Sequence, residues 1–386
     1  MGGISYPRIM RLPRGSFFLL GVRGVGKSTW AREALPRAYW IDLLDERRYH
    51  DYLADPGLFA AELAALSPGS WVVVDEVQRI PGLLNEVHRF IESRRLRFAL
   101  IGSSARKLRA AGTNLLAGRA QSRRMQPLTA AELAADFDLG RALRYGTIPL
   151  ILAAQDQEAA LEACVQLYLR EEIRAEALVR NLPGFVRFLP IAALFHGQTV
   201  NVAGIARDAG VARMTVDGYL EILEDTLLVH RLPGFEARLR VRERRHPKLY
   251  WVDPGLVRAV KRQRGPVSAE EKGPLFEGFV LHLLRAHGEE EKLFDELTYW
   301  APAQAMRTEV DFLLRRGREY VAIEVKAGSR FDRSMTQGLR AISELRGVVR
   351  RILVYAGERI LSVEQGIEVW PIRRFSEALA SGRLWP

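Results

Sequence analysis

Apolar residues gather into short unbroken runs in the first hundred positions of this chain, with helical spacings between them. Phe17, Phe18, Leu19 and Leu20 form one run, 38–43 a second, Trp71, Val72, Val73 and Val74 a third, and Phe98, Ala99, Leu100 and Ile101 a fourth. Continuous β-branched and aromatic runs bounded by turn residues predict strands buried on both faces, as in parallel sheets. Between them, 28–35 reads as a helix stopped by Pro36. A second helix is predicted over 56–66, with Leu58, Phe59, Leu63 and Leu66 at helical spacing and a break at 67–70. Strand and helix in alternation predict an α/β core over residues 1–150.

Downstream the period changes. Thr129 and Glu132 make a capping box that starts a new helix. Residues 155–180 are helical in character, with Leu161, Val165, Leu169 and Ile173 on one face, and are expected to act as a lid. Residues 185–235 then run helix (189–195), extended piece (198–201), helix (202–209), turn at Gly210, helix (212–224) and an apolar extended segment (227–232). That order is a winged-helix pattern; the competing reading is a helical lid packed on the first domain. A lid and winged-helix-like domain over 151–235 and a basic connector over 236–265 follow. The last part, 266–386, reads as a small α/β domain. It has a helix at 274–287, strands at 298–300, 308–314, 319–326, 351–355 and 368–372, and a helix at 334–346.

The chemistry starts at the end of the first run. Gly21, Gly24, Gly26, Lys27 and Ser28 have the spacing G-x-x-x-x-G-K-S between a strand and a helix, the setting of a phosphate loop. The glycines let the backbone approach phosphate oxygens, and the N–H groups of the helix start, with Thr29 in its first turn, face the anion. Lys27 would reach the β- and γ-phosphates of ATP and Ser28 would hold Mg²⁺. The third run ends in Asp75 and Glu76, a Walker B pattern: Asp75 would help to hold the Mg²⁺ and Glu76 would polarise the attacking water. The fourth run ends in Ser103 and Ser104, either of which could sense the γ-phosphate; the same serines suit the cap of a helix over 105–110. Arg119 is the first choice for a cation that a neighbouring subunit would supply to the transferring phosphoryl group.

Composition narrows the partners. The 386 residues are 48% hydrophobic and 27% charged, ordinary for a globular protein of two or three domains. Lys and Arg number 57 against 46 Asp and Glu, and the formal charge of +11 favours a polyanion, with DNA foremost. A single cysteine, Cys164, excludes an intramolecular disulfide and a cysteine-rich zinc site. No apolar run approaches the length of a membrane span and no secretory leader is legible, so a soluble cytoplasmic protein with no membrane contact is expected. Within the winged-helix pattern, Arg213, Thr215 and Asp217 stand near the leading end of the third helix. Asp217, Glu221, Glu224 and Asp225 make that helix too acidic to follow a phosphate backbone along its length. The cations lie beyond it: Arg238, Arg240, Arg242, Arg244, Arg245 and Lys248, followed by Arg258, Lys261, Arg262 and Arg264. Alternation from Arg238 to Arg244 would place these arginines on one side of a strand, a basic ribbon suited to nucleic acid.

These motifs together resemble the bacterial and archaeal AAA-type ATPases whose C-terminal half is an uncharacterised domain related to restriction endonucleases. The resemblance rests on Gly21 to Ser28, Asp75 and Glu76, Ile101 to Leu108, Leu116 to Arg119 and Gln126 to Leu128. It continues at Gly146 to Pro149, where Thr147 replaces the second glycine usual in that pattern. It implies an αβα ATPase core, a helical region, a winged-helix-like segment and a nuclease-like fold, and, with the trans arginine, a homohexameric ring.

In the C-terminal part, Asp311, Glu324 and Lys326, with Glu277 on the preceding helix, resemble the PD-(D/E)xK nuclease signature. The one-residue spacing puts Glu324 and Lys326 on the same strand face. Asp311 and Glu324 would offer hard oxygen ligands to a second Mg²⁺, with Lys326 positioning water; alternatively Glu324 and Lys326 are a satisfied ion pair on a structural remnant. Three functions follow as expectations: an oligomeric DNA-handling ATPase, an ATP-gated metal-dependent nuclease, and a nucleotide-dependent signalling switch that recruits a protein.

Overall fold

The computed structural model describes residues 6–103, 116–168, 181–236, 246–302 and 308–386. The chain divides into two compact units, one of Met10–Gln126 with Glu221–Leu228, the other of Met1–Ile9, Pro127–Leu220 and Val229–Pro386. The boundary expected near residue 150 falls inside the second unit. Leu128 N donates to Thr147 O at 3.0 Å, and Thr147 N to Asp253 Oδ2 at 2.7 Å. Gly255 packs so closely that a Cβ there would lie 2.1 Å from the carbonyl oxygen of Tyr145. These contacts bind 127–150 to residues far downstream, which no local pattern announces.

In the first unit, β1 (Phe17–Leu20), β2 (Tyr39–Asp42), β3 (Trp71–Asp75), β4 (Arg97–Gly102) and β5 (Gln121–Arg124) make one parallel sheet in the order β2-β3-β4-β1-β5. Its central strands are buried on both faces, as their unbroken apolar runs require. Helices α1 (Lys27–Ala34) and α3 (Pro56–Ala64) match the spacings read above. Two others, α2 (Glu46–Ala54) and α4 (Leu83–Arg94), have no counterpart among the expected elements. Helix α2 buries only Tyr52 and is set by Asp45, whose carboxylate caps the amides of Arg47 and Arg48. Helix α4 buries Leu83, Leu84, Val87 and Phe90 but has no capping side chain at Gly82, so its start is silent in the sequence.

The second unit contains the helices Leu182–Leu194 and Val202–Ala209, the start of Arg213–Asp225, and a small sheet. In that sheet β8 (Lys248–Trp251) lies between β6 (Gln198–Thr199) and β7 (Val229–Leu232), antiparallel to both. This is the winged-helix order, with Gly210 at φ 63° making the turn between the second and third helices. Its core is aromatic: Phe185 and Phe188 lie 5.0 and 5.2 Å from Tyr219, ring centre to ring centre. The first helix begins seven residues before its expected start, where Asn181 caps the amide of Gly184.

The rest of this unit is a six-stranded mixed sheet, order β13-β14-β12-β11-β10-β9. Its strands are β9 (Glu296–Trp300), β10 (Val310–Arg316), β11 (Glu319–Lys326), β12 (Val348–Tyr355), β13 (Leu361–Val363) and β14 (Ile367–Pro371). Strands β9 to β11 form an antiparallel meander, and β11, β12 and β14 run parallel. Helix Ala269–Glu291 starts one turn before Pro274, because Ser268 and Glu271 form a capping box ahead of the proline. The helix expected over 334–346 is instead a short α-helix, Gln337–Ala341, between two 3₁₀ turns. At Gly338 an added Cβ would lie 2.0 Å from the backbone oxygen of Glu309, so this segment approaches strand β10 closely.

Candidate functional site

The carboxyl ends of β1, β3 and β4 bring the phosphate-loop residues, both acidic residues and Ser103 to one edge of the parallel sheet. Ligands of open α/β sheets bind at such an edge. Gly24 and Gly26 hold φ of 82° and 91°, a left-handed backbone that a side chain resists. Gly21 has a different reason to lack one: a Cβ would lie 2.5 Å from the backbone oxygen of Met125. Lys27 opens α1 and is buried, its ammonium donating to Gly21 O at 2.7 Å and Val22 O at 3.2 Å. The cation thus lies against the loop that would receive phosphate.

Ser28 lies beside Asp75, which brings together the two residues that would hold Mg²⁺. Burial raises the Asp75 pKa; the nearby Ser28 hydroxyl opposes that rise, and the carboxylates of Glu76 and Asp42 add to it. Such a carboxylate gains from a divalent cation, so the donor set fits the metal. Glu76 follows in a left-handed conformation, φ 56° and ψ 41°. A non-glycine residue there costs roughly 1–2 kcal/mol, strain that persists only where the surroundings impose it. Glu76 N donates to Asp75 Oδ1 at 3.1 Å and Glu76 O accepts from Arg79 N at 2.9 Å, while its carboxylate is held by Gln78, a residue that the motif reading passed over. Its Nε2 donates to Glu76 Oε2 and lies 3.2 Å from Ser103 Oγ. Its Oε1 faces Gly102, where a Cβ would stand 2.4 Å away. A glutamine two residues after paired carboxylates is visible in the sequence, but its link to Ser103 is not.

Other candidates fall elsewhere. Arg119 pairs with Glu92 on the surface of its own unit. Thr29 and Arg213 are exposed. Ser104 and the arginines 238, 240, 242, 244 and 245 lie outside the described residues. Lys248 corrects the reading that made it a nucleic-acid contact. Its side chain is 4% exposed, and its ammonium lies 3.2 Å from Glu277 Oε1, 3.3 Å from Glu309 Oε1 and 3.6 Å from Asp311 Oδ1. No phosphate can reach it there. Arg258, another member of the basic series, is also buried and bonds Glu271 at 2.9 Å.

Glu277, Asp311, Glu324 and Lys326 do come together around this lysine, but the arrangement does not fit a second metal. Asp311 Oδ2 accepts from Val325 N at 2.8 Å, and Glu324 Oε1 is 2.5 Å from Lys326 Nζ. Tyr250 donates to Glu277. Among the described residues no group of three or more His, Cys, Asp or Glu side chains is arranged to hold a metal ion. Burial first, then the Asp311 charge, pushes the Glu277 carboxyl up to about 7 and the Glu324 carboxyl well above its ordinary value. For Lys248 burial opposes the charge, but Glu277, Asp311 and Glu309 outweigh it and hold the ammonium protonated. The carboxylates of the cluster are countered by Lys248 and Lys326.

Residues 14–134 match the family model described as an AAA domain, which covers the whole nucleotide-facing sheet. Residues 136–266 and 272–375 match two domains of unknown function, DUF8612 and DUF4143. Uncharacterised proteins of Mycobacterium tuberculosis and Mycobacterium bovis are each 27% identical over 352 residues, 88% of this chain and 76% of theirs. Among solved structures, the Aeropyrum pernix ORC1 protein in complex with DNA is 17% identical, covering 65% of this chain and 87% of that one at a TM-score of 0.26. The ADP form of ORC2 from the same organism is 14% identical, covering 64% and 87% at 0.33. Superpositions this loose carry no inference. The chain carries an AAA-type ATPase-like domain, and no helix among its described residues is long and apolar enough to cross a membrane.

Proposed function

We propose that this chain hydrolyses ATP at the edge formed by β1, β3 and β4 and couples hydrolysis to DNA as a homohexamer. The observation that carries the nucleotide part is the buried ammonium of Lys27, held in the glycine loop by Gly21 O and Val22 O, with Asp75 and Glu76 at the end of β3 on the same sheet edge. Lys27 exchanges its bonds to the Gly21 and Val22 carbonyls for the β- and γ-phosphate oxygens, and the amides of the loop and of the α1 start bind the rest of the phosphate chain. Ser28 and Asp75 would hold Mg²⁺, which when bound neutralises charge on those oxygens. Glu76, kept in place by Gln78, accepts the proton of the attacking water, and Ser103 donates to the γ-phosphate or to that water.

Support for DNA comes from the sequence: the net charge of +11 and the arginine-rich segment 238–245 between the two longer strands of the winged-helix sheet. Support for a ring comes from Arg119, exposed in part and paired, among the described residues, with the exposed Glu92, which a neighbouring subunit's γ-phosphate could replace. ATP turnover measured with and without duplex, branched and single-stranded DNA, beside particle mass in solution, tests both. Turnover indifferent to every nucleic acid, with DNA affinity insensitive to salt, would favour the signalling reading instead.

A further inference from the structure

Strand β8 belongs to the winged-helix sheet, yet Lys248 and Tyr250, two positions apart on one face, both end among carboxylates of the C-terminal helix and sheet. Three carboxylates from two elements, Glu277 on helix Ala269–Glu291 and Glu309 and Asp311 at β10, surround one buried ammonium within 3.6 Å. Oxygen donors converging on a point charge are what a cation site provides; here the charge is covalently part of the chain. We propose that Lys248 is the resident cation of this cluster and excludes a divalent ion from it, so that the C-terminal sheet takes up no metal while strand β8 is in place.

Two positive charges a few ångströms apart in a buried site repel strongly, so lysine and metal exclude each other. The donor set exceeds what the lysines use: Glu324 Oε2 is buried with no hydrogen-bond partner even with Lys326 on its other oxygen. Taking away Lys248 leaves Glu277 and Asp311 buried without their counter-charge, a state that a hard divalent cation relieves. The inference does not depend on the nucleotide reading, because every residue in it lies in the second unit.

The test compares the full-length wild type, Lys248→Met and the double variant Lys248→Met/Asp311→Asn in Mn²⁺. Crystals soaked in Mn²⁺ should give an anomalous peak between Glu277 and Asp311 in Lys248→Met and none there in the wild type. In solution Mn²⁺ should raise the Tm of Lys248→Met more than that of either other protein, which share the same phosphate-loop contribution. A Mn²⁺ peak at the cluster of the wild type overturns the proposal, as does a folded Lys248→Met that gains neither peak nor Tm shift. If Lys248→Met does not fold, reductive methylation of the native wild type decides: Lys248 should stay unmodified, with or without Mn²⁺, while surface lysines react. Methylation of Lys248 that Mn²⁺ accelerates would mean that the metal displaces it from a site it does not hold.

Discussion

Gln78 Nε2 lies 3.2 Å from the hydroxyl of Ser103, so a side chain beyond the end of β3 is fastened to the end of β4. The same amide donates to Glu76. One glutamine therefore positions the residue that would take a proton from water and the residue that would watch the γ-phosphate. Gln78→Ala should lower kcat about a hundredfold by freeing Glu76, the cost of a misplaced catalytic group. KM should change far less than kcat, since Lys27 and the glycine loop are left in place. A variant with unchanged kcat would remove Gln78 from this role.

Lys27→Ala should abolish nucleotide binding, because it removes the buried ammonium that the loop holds where it would meet the β- and γ-phosphates. Glu76→Gln should keep binding and slow hydrolysis about 10²–10⁴-fold, the usual contribution of a general base. Fluorescent-nucleotide titration beside phosphate release separates the two; unchanged turnover in both variants would displace the assigned site.

Gly146 holds φ 76° and lies so close to Asp253 that a Cβ would stand 1.8 Å from its Oδ1. Gly146→Ala should therefore cost roughly 3 kcal/mol or more, from backbone strain and from disturbing a buried carboxylate together. Asp253 accepts from Thr147 N at 2.7 Å and Leu256 N at 3.0 Å, so the damage spreads to both segments. Urea unfolding measures it; a loss below 1 kcal/mol would show that the junction yields.

His196 and His282 are buried, and burial above all lowers each pKa from 6.5 to about 3. Both stay neutral in the fold: His196 Nδ1 accepts from Trp251 N at 3.0 Å, and His282 Nε2 is 3.2 Å from Leu128 O. Because the unfolded chain binds these protons first, their stabilisation is complete above pH 6.5 and is lost as pH falls from there towards 3. His282→Gln should reduce the slope of stability against pH in that window by up to one proton. An unchanged slope would mean that His282 becomes charged without unfolding the protein.

Where interactions are local, the residues themselves determined this protein. Glycine spacing before Lys27, unbroken apolar runs in β1, β3 and β4, and the capping boxes at Thr129 and Ser268 act within a few residues, so the AAA-type core and several helix starts were legible. The exceptions inside the core were α2, which buries only Tyr52, and α4, whose start lacks a capping side chain. Lys248 shows what the tertiary structure alone decided. In the chain it closes an arginine-rich segment and reads as one more surface cation; in the fold it is buried among Glu277, Glu309 and Asp311. A charge carries no local mark of its partner, because Coulomb attraction depends on distance in space and on the surrounding dielectric, both of which exist only once distant strands have packed.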